Sequence, residues 1–225
     1  MTANAPALDE LLVAIRACTA CTAELPLGPR PVLRAASSAR VLIVGQAPGT
    51  RVHATGIPWN DPSGDRLRDW MAVDRETFYD ERRFAIVPMG LCYPGRGKSG
   101  DLPPRPECAA LWFEPLLALL PNIRLTLLLG QYAQAYYLGK SRTRPGARTQ
   151  RTHAVPQAKD TLTATVAAWR EYLPAFLPLP HPSPRNRLWL KRNSWFERET
   201  VPALRGELAR ALGGGSAPST ARRRS

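Results

Sequence analysis

Lysine, histidine and cysteine are scarce in this chain: its 225 residues include four, three and four of them. With so few lysines, chemistry through an amine nucleophile has only Lys98, Lys140, Lys159 and Lys191 to draw on. Long apolar runs are missing too. The stretches Leu116 to Leu120 and Leu125 to Leu129 are separated by Pro121, Asn122 and Arg124, and neither approaches the roughly 20 residues that span a bilayer. The opening segment MTANAPALDELL puts acidic residues, and no basic ones, beside its apolar positions, so a secretory signal is not expected and the expected compartment is the cytoplasm. In that reducing setting two structural disulfides are not expected, and four cysteines pose a question of metal ligation or burial.

Acidic residues are few as well, 18 against 31 Lys+Arg, which leaves a formal charge of +13 and a pI near 10.5. Such an excess attracts polyanions, above all nucleic acid, without specifying a fold. Apolar residues make up 44% of the chain, enough for a sizeable core, so global disorder is excluded.

Four short apolar runs read as buried strands: Ala39 to Val44, Phe84 to Val87, Leu125 to Leu129 and, more weakly, Phe176 to Leu179. Helical spacing occurs at Leu8 to Cys18, Gly64 to Val73, Pro106 to Leu120, Gln131 to Leu138, Leu162 to Tyr172 and Phe196 to Leu212. Strands alternating with helices predict an α/β fold: a three-layer α/β/α sandwich around a four-stranded, mostly parallel sheet. We expect one domain over residues 1–212, then Gly213-Gly214-Gly215 and a flexible basic tail to residue 225.

In open parallel sheets ligands bind beyond the carboxyl ends of the strands. The loop after the first strand is Gly45-Gln46-Ala47-Pro48-Gly49; Trp59-Asn60-Asp61-Pro62-Ser63-Gly64 follows ten residues later, and His181-Pro182-Ser183-Pro184-Arg185-Asn186 comes after the last strand. The first loop is not a P-loop, because no Gly-Lys-Ser/Thr follows it.

Taken together, GQAPG, GIPWNDPSG and HPSPRN resemble the uracil-DNA glycosylase superfamily. The N-terminal half looks like the family-four enzymes, and HPSPRN looks like the second motif of the single-strand-selective monofunctional uracil glycosylases. The resemblance spans about Cys18 to Arg198. It implies that His181 donates to the leaving uracil anion as a neutral imidazole, that Trp59 stacks on the flipped base, and that Gly45, Ala47, Pro48, Gly49 and Ser63 line the substrate site. It further implies that Ser183 and the backbone around Pro182 and Pro184 grip the flanking phosphates, and that Arg185, Asn186, Arg187 and Leu188 form the wedge that fills the vacated stack.

Each residue also has a plainer reading. His181 can cap a turn, Asp61 can be the N-cap of the helix that follows, Trp59 can belong to the core, and Arg185 to Arg187 can be a solvated basic loop. Beyond that loop Arg187, Lys191, Arg192 and Arg198 are placed to track a phosphate backbone, and some of Trp189, Trp195 and Phe196 are packing residues.

The chain departs from the family pattern in two places. Where family-four enzymes carry the glutamate of GEAPG, this chain has Gln46, which can position a water but cannot take its proton. The nearest carboxylate in the motifs is Asp61, expected to activate water or stabilise the oxocarbenium ion. Where the family reads uracil with an asparagine four positions before a cysteine, this chain has Pro88.

Cys18-x2-Cys21 and Cys92-x15-Cys108 follow the order and similar spacing of the [4Fe-4S] ligands in family-four enzymes, where the group would pin the N-terminal helix to a DNA-facing loop. Four thiolates also suit zinc, and four buried thiols without metal are the remaining reading. The resemblance implies a monofunctional enzyme, expected to be a monomer without membrane attachment, that flips uracil from single- or double-stranded DNA, releases it by attack of water and leaves an abasic site. A glycosylase for another deaminated base such as hypoxanthine, and a noncatalytic damage- or abasic-site-binding module, are the alternatives.

Overall fold

Val41–Val44 carries no polar side chain, and all four residues are buried, so this strand has no solvent face and must lie between two layers. The computed structural model describes residues 4–98, 100–139 and 156–213. The expected basic tail, Gly213 apart, lies outside the described residues, as do Lys140 and His153.

In chain order the elements are α1 (Asn4–Arg16), β1 (Val41–Val44), α2 (Thr50–Thr55), α3 (Pro62–Met71), α4 (Arg75–Phe78), β2 (Phe84–Ile86), β3 (Arg96–Gly97) and β4 (Gly100–Asp101). Next come α5 (Pro106–Cys108), a π-helical turn (Ala109–Phe113), α6 (Glu114–Ala118), β5 (Leu125–Leu129), α7 (Gln131–Leu138) and α8 (Leu162–Ala167). A 3-10 turn (Trp169–Tyr172), β6 (Phe176–Leu179), a second 3-10 turn (Pro184–Asn186), α9 (Arg187–Arg192), a π turn (Phe196–Thr200) and α10 (Val201–Leu212) complete the described chain.

The central sheet has the order β2-β1-β5-β6, and every pairing in it is parallel. The chain leaves β1 toward β2 and returns to β5 on the other side, so the strand order reverses beside β1, where α/β sheets open a crevice.

Side-chain alternation divides the core. Leu42 and Val44 join Leu8, Leu12 and Ile15 of α1 with Phe113 and Leu116 on one face. Val41 and Ile43 join Leu67 and Trp70 of α3, Val166 of α8, and Leu204 and Leu208 of α10 on the other. Each fully buried side chain of this kind contributes about 1.5–3 kcal/mol. The two faces give the expected three-layer α/β/α arrangement, with the loops at the carboxyl ends of the strands gathered on one rim. Among the described residues no helix is long and apolar enough to cross a membrane.

Candidate active site

The loop after β1 is clamped by the segment after β2: Met89 N–H donates to Gly45 O at 3.0 Å, and Gly90 N–H to Gln46 O at 2.9 Å. Gly45 is demanded by a close approach, since a Cβ there would lie 2.7 Å from Cζ2 of Trp59. The indole therefore lies directly against the backbone at the end of β1.

Trp59 itself has φ of 56°, a left-handed backbone that costs a bulky residue on the order of 1–3 kcal/mol. Its surroundings hold it there. The Tyr79 hydroxyl donates to Pro58 O at 2.8 Å, and buried Arg68 donates to Trp59 O at 3.3 Å. Gly64 presents no Cβ to the same carbonyl, which a side chain would strike.

Asp61 begins α3: its Oδ1 accepts from Gly64 N–H at 2.8 Å, with Pro62 at the first helical position. The plainer reading of Asp61 is therefore realised, and the same carboxylate also faces the cavity described below.

His181 follows β6, whose last residue is tied by the buried amide of Gln134, donating to Leu179 O at 3.0 Å. Asn186 Nδ2 donates to His181 O at 2.7 Å, and Arg66 of α3 donates to Ser183 O at 3.1 Å, so the HPSPRN loop is braced from both sides. The Ser183 hydroxyl accepts from Arg185 N–H at 3.2 Å. Ser183 N–H donates to Nδ1 of His181, and burial lowers the imidazole pKa to about 4 despite the opposing charge of Asp61. The ring is thus neutral at working pH, and with Nδ1 accepting, its proton sits on Nε2. Its centroid lies 5.4 Å from the Trp59 ring, at 31° between planes.

These loops enclose a cavity of about 290 Å³. Of the residues expected from sequence, Gly45, Gln46, Ala47, Pro48, Gly49, Trp59, Asp61, His181, Ser183, Arg185 and Asn186 line it. Ser63 does not: it is buried in the first turn of α3. Pro184 and Arg187 also stand off the cavity, both exposed. Pro88 is buried and forms part of the wall. Leu188, 67% exposed, stands beside the mouth-lining loop on α9. Behind it Trp189 and Trp195 pack edge-on against Phe196, and Trp189 Nε1 donates to the Thr163 hydroxyl at 2.8 Å, so these aromatics serve packing.

Gly100 and Asp101 also line the cavity, and sequence reading gave them no role. They belong to the two-stranded β3–β4 hairpin, inside a Pro/Gly-rich stretch without the alternation that marks a strand. The only signal available was two glycines flanking a short polar turn.

The four cysteines are free thiols, with Cys21 and Cys108 buried. Burial raises the pKa of Cys108 to about 11, and the charges of Cys92, Cys21 and Cys18 add to the rise. Cys92 is raised by burial and by Cys18 and Cys21. Backbone donors point at the sulfurs: Leu91 N–H at Cys108 Sγ, 3.4 Å away, and Arg30 N–H at Cys92. Among the described residues no three His, Cys, Asp or Glu side chains converge as a single bound metal ion requires.

The family model for the uracil DNA glycosylase superfamily matches residues 33–205, from before β1 into α10, and so takes in the GQAPG, WNDPSG and HPSPRN loops and the hairpin, while Cys18 and Cys21 lie ahead of it. That match takes in all four strands of the parallel sheet and the loops that line the cavity, and the chain belongs to the uracil DNA glycosylase superfamily.

Proposed function

We propose that this DNA glycosylase is monofunctional and acts on uracil in DNA, drawing the flipped base into the cavity that Trp59 and His181 line. The observation that carries this reading is the state of His181: a neutral imidazole whose Nδ1 is occupied by Ser183 N–H, leaving Nε2–H to donate. As the glycosidic bond breaks, its electron pair moves onto the base, and a donor already oriented toward the developing anion lowers the barrier without reorganising. Trp59 offers a face for stacking, worth about 1–3 kcal/mol per base. Asp61, with Oδ1 held by the start of α3, lends its negative charge to the sugar as oxocarbenium character develops. Flipping costs a few kcal/mol, offset by Arg185 and Asn186 of the cavity wall and by exposed Leu188 beside them on α9. Among the described residues no lysine lines the cavity, which supports hydrolysis over a lyase step through an amine.

Four free thiols that influence one another electrostatically, two of them, Cys92 and Cys108, with a backbone N–H donor, suit an anionic iron-sulfur group, and we assign Cys18, Cys21, Cys92 and Cys108 to a [4Fe-4S] cluster. Its role is to tie the end of α1 to the segment between β2 and α5, since base excision transfers no electron.

A second reading has one specific observation in its favour. Pro88 in the cavity wall has no side-chain amide to match the uracil edge, so a related deaminated base such as hypoxanthine competes for the same site. The test is to incubate the protein with oligonucleotides bearing one uracil, hypoxanthine or xanthine, single-stranded and duplexed, and identify the freed base by mass spectrometry. Free uracil with an intact, alkali-labile strand supports the proposal. Free hypoxanthine alone moves the enzyme to that base, and binding without release moves it to a damage-recognition module.

A further inference from the structure

The amide of Gln46 is engaged: Nε2 donates to Leu102 O at 3.2 Å, a bond that a glutamate at this position cannot make because both partners would be acceptors. Leu102 immediately follows Asp101, and its own N–H donates to Gly95 O at 2.9 Å, closing the β3–β4 hairpin. Gln46 therefore fastens the hairpin over the cavity. What the hairpin brings with it is a carboxylate. Asp101 lines the cavity, with Oδ2 3.7 Å from where a Cβ on Gly49 would stand, and no described residue donates a hydrogen bond to it. Gly100 leaves room for the guanidinium of Arg185, which a side chain there would strike, so the hairpin also meets the HPSPRN loop.

The cavity wall holds two carboxylates, Asp61 and Asp101. Asp61 is committed, since protonating it would weaken the cap on α3, and a capping bond is worth about 1 kcal/mol. Asp101 is exposed and carries no such commitment.

Resting on the uracil-excision reading above, we propose that Asp101 is the general base: the carboxylate absent from position 46 in sequence is restored in space by the hairpin that Gln46 pins. Water oxygen bonds to C1′ while the bond from C1′ to the base nitrogen breaks, and the electron pair leaves on the base as an anion. Asp101 takes the proton that the water loses, and the base anion is finally protonated from solvent, so the products are an abasic sugar and the neutral base.

Single-turnover excision and binding to DNA carrying a nonhydrolysable 2′-fluoro-deoxyuridine are measured for wild type, Asp101→Asn, Asp101→Glu and Asp61→Asn. A positioned general base contributes about 10²–10⁴-fold, so Asp101→Asn slows excision by at least about 100-fold. It binds the analogue as tightly as wild type or more tightly. Asp101→Glu recovers part of the rate. A wild-type rate in Asp101→Asn, or losses of rate and binding in equal proportion, overturns the assignment and leaves uracil excision standing. Absence of base release by wild type overturns both.

Discussion

Ser183 N–H donates to Nδ1 of His181 at 3.2 Å, two residues back along the chain, and this one bond sets which imidazole nitrogen carries the proton. Nε2 is left as the donor, and burial keeps the ring neutral.

The pH dependence follows from that burial. With the pKa of His181 lowered from 6.5 to about 4, the unfolded chain binds the proton more readily than the folded one. The stabilisation is therefore complete above pH 6.5 and is lost as pH falls from 6.5 toward 4. Nitrogen-15 NMR of labelled histidine should show His181 protonated on Nε2 alone at pH 7 and titrating near pH 4, with no inflection of the excision rate at 6.5. A signal titrating at an ordinary imidazole pKa would contradict the site geometry.

Gly45 has no room for a methyl group beside Trp59. Gly45→Ala should displace the indole, slow excision by about tenfold or more, and lower stability by about 1–3 kcal/mol through overpacking. Thermal melting and single-turnover rates check the two effects separately, and an unchanged rate would mean that the position of the ring does not matter to catalysis.

Leu188 is exposed on α9, two residues after the cavity-lining Asn186, and Arg185 lies against Gly100. Leu188→Ala should impair excision from duplex more than from single strands, because only the duplex has a stack to refill. Arg185→Ala should flatten the dependence of log K on log salt by about 0.9 if it neutralises one phosphate of a duplex. Equal losses on both substrates for Leu188→Ala would remove the wedge.

For the cysteines, aerobically handled protein should contain close to four iron atoms and four sulfides per chain, with a broad visible absorption band. Cys108→Ser should lose most of the iron and lower the melting temperature, while leaving residual excision in whatever fraction stays folded. One zinc and no iron per chain would replace the cluster with a zinc centre.

Much of this was legible in the sequence because local and tertiary signals agree. Runs of β-branched and leucine residues such as Val41–Val44 and Leu125–Leu129 can only be buried, and both are strands of the central sheet. Asp61-Pro62 announced a helix start, and α3 begins at Pro62. Two kinds of feature were not legible. Ser63 lies within a motif yet turns into the core, because the second helical position of α3 faces inward. Asp101 sits in a stretch without hydrophobic period, and the hairpin that carries it, paired through Arg96, is fastened over the cavity by the bond from Gln46 to Leu102, a contact between residues far apart in the chain. Spacing along a sequence cannot reveal such a contact.

The most direct test of the central claim is single-turnover release of the base from an oligonucleotide with one uracil, comparing wild type with His181→Ala and confirming by circular dichroism that both are folded. The account predicts free uracil and an alkali-labile strand from wild type, and a rate lower by about 100-fold or more in the variant, as for loss of an oxyanion-type donor. A folded His181→Ala that releases uracil at the wild-type rate would contradict it.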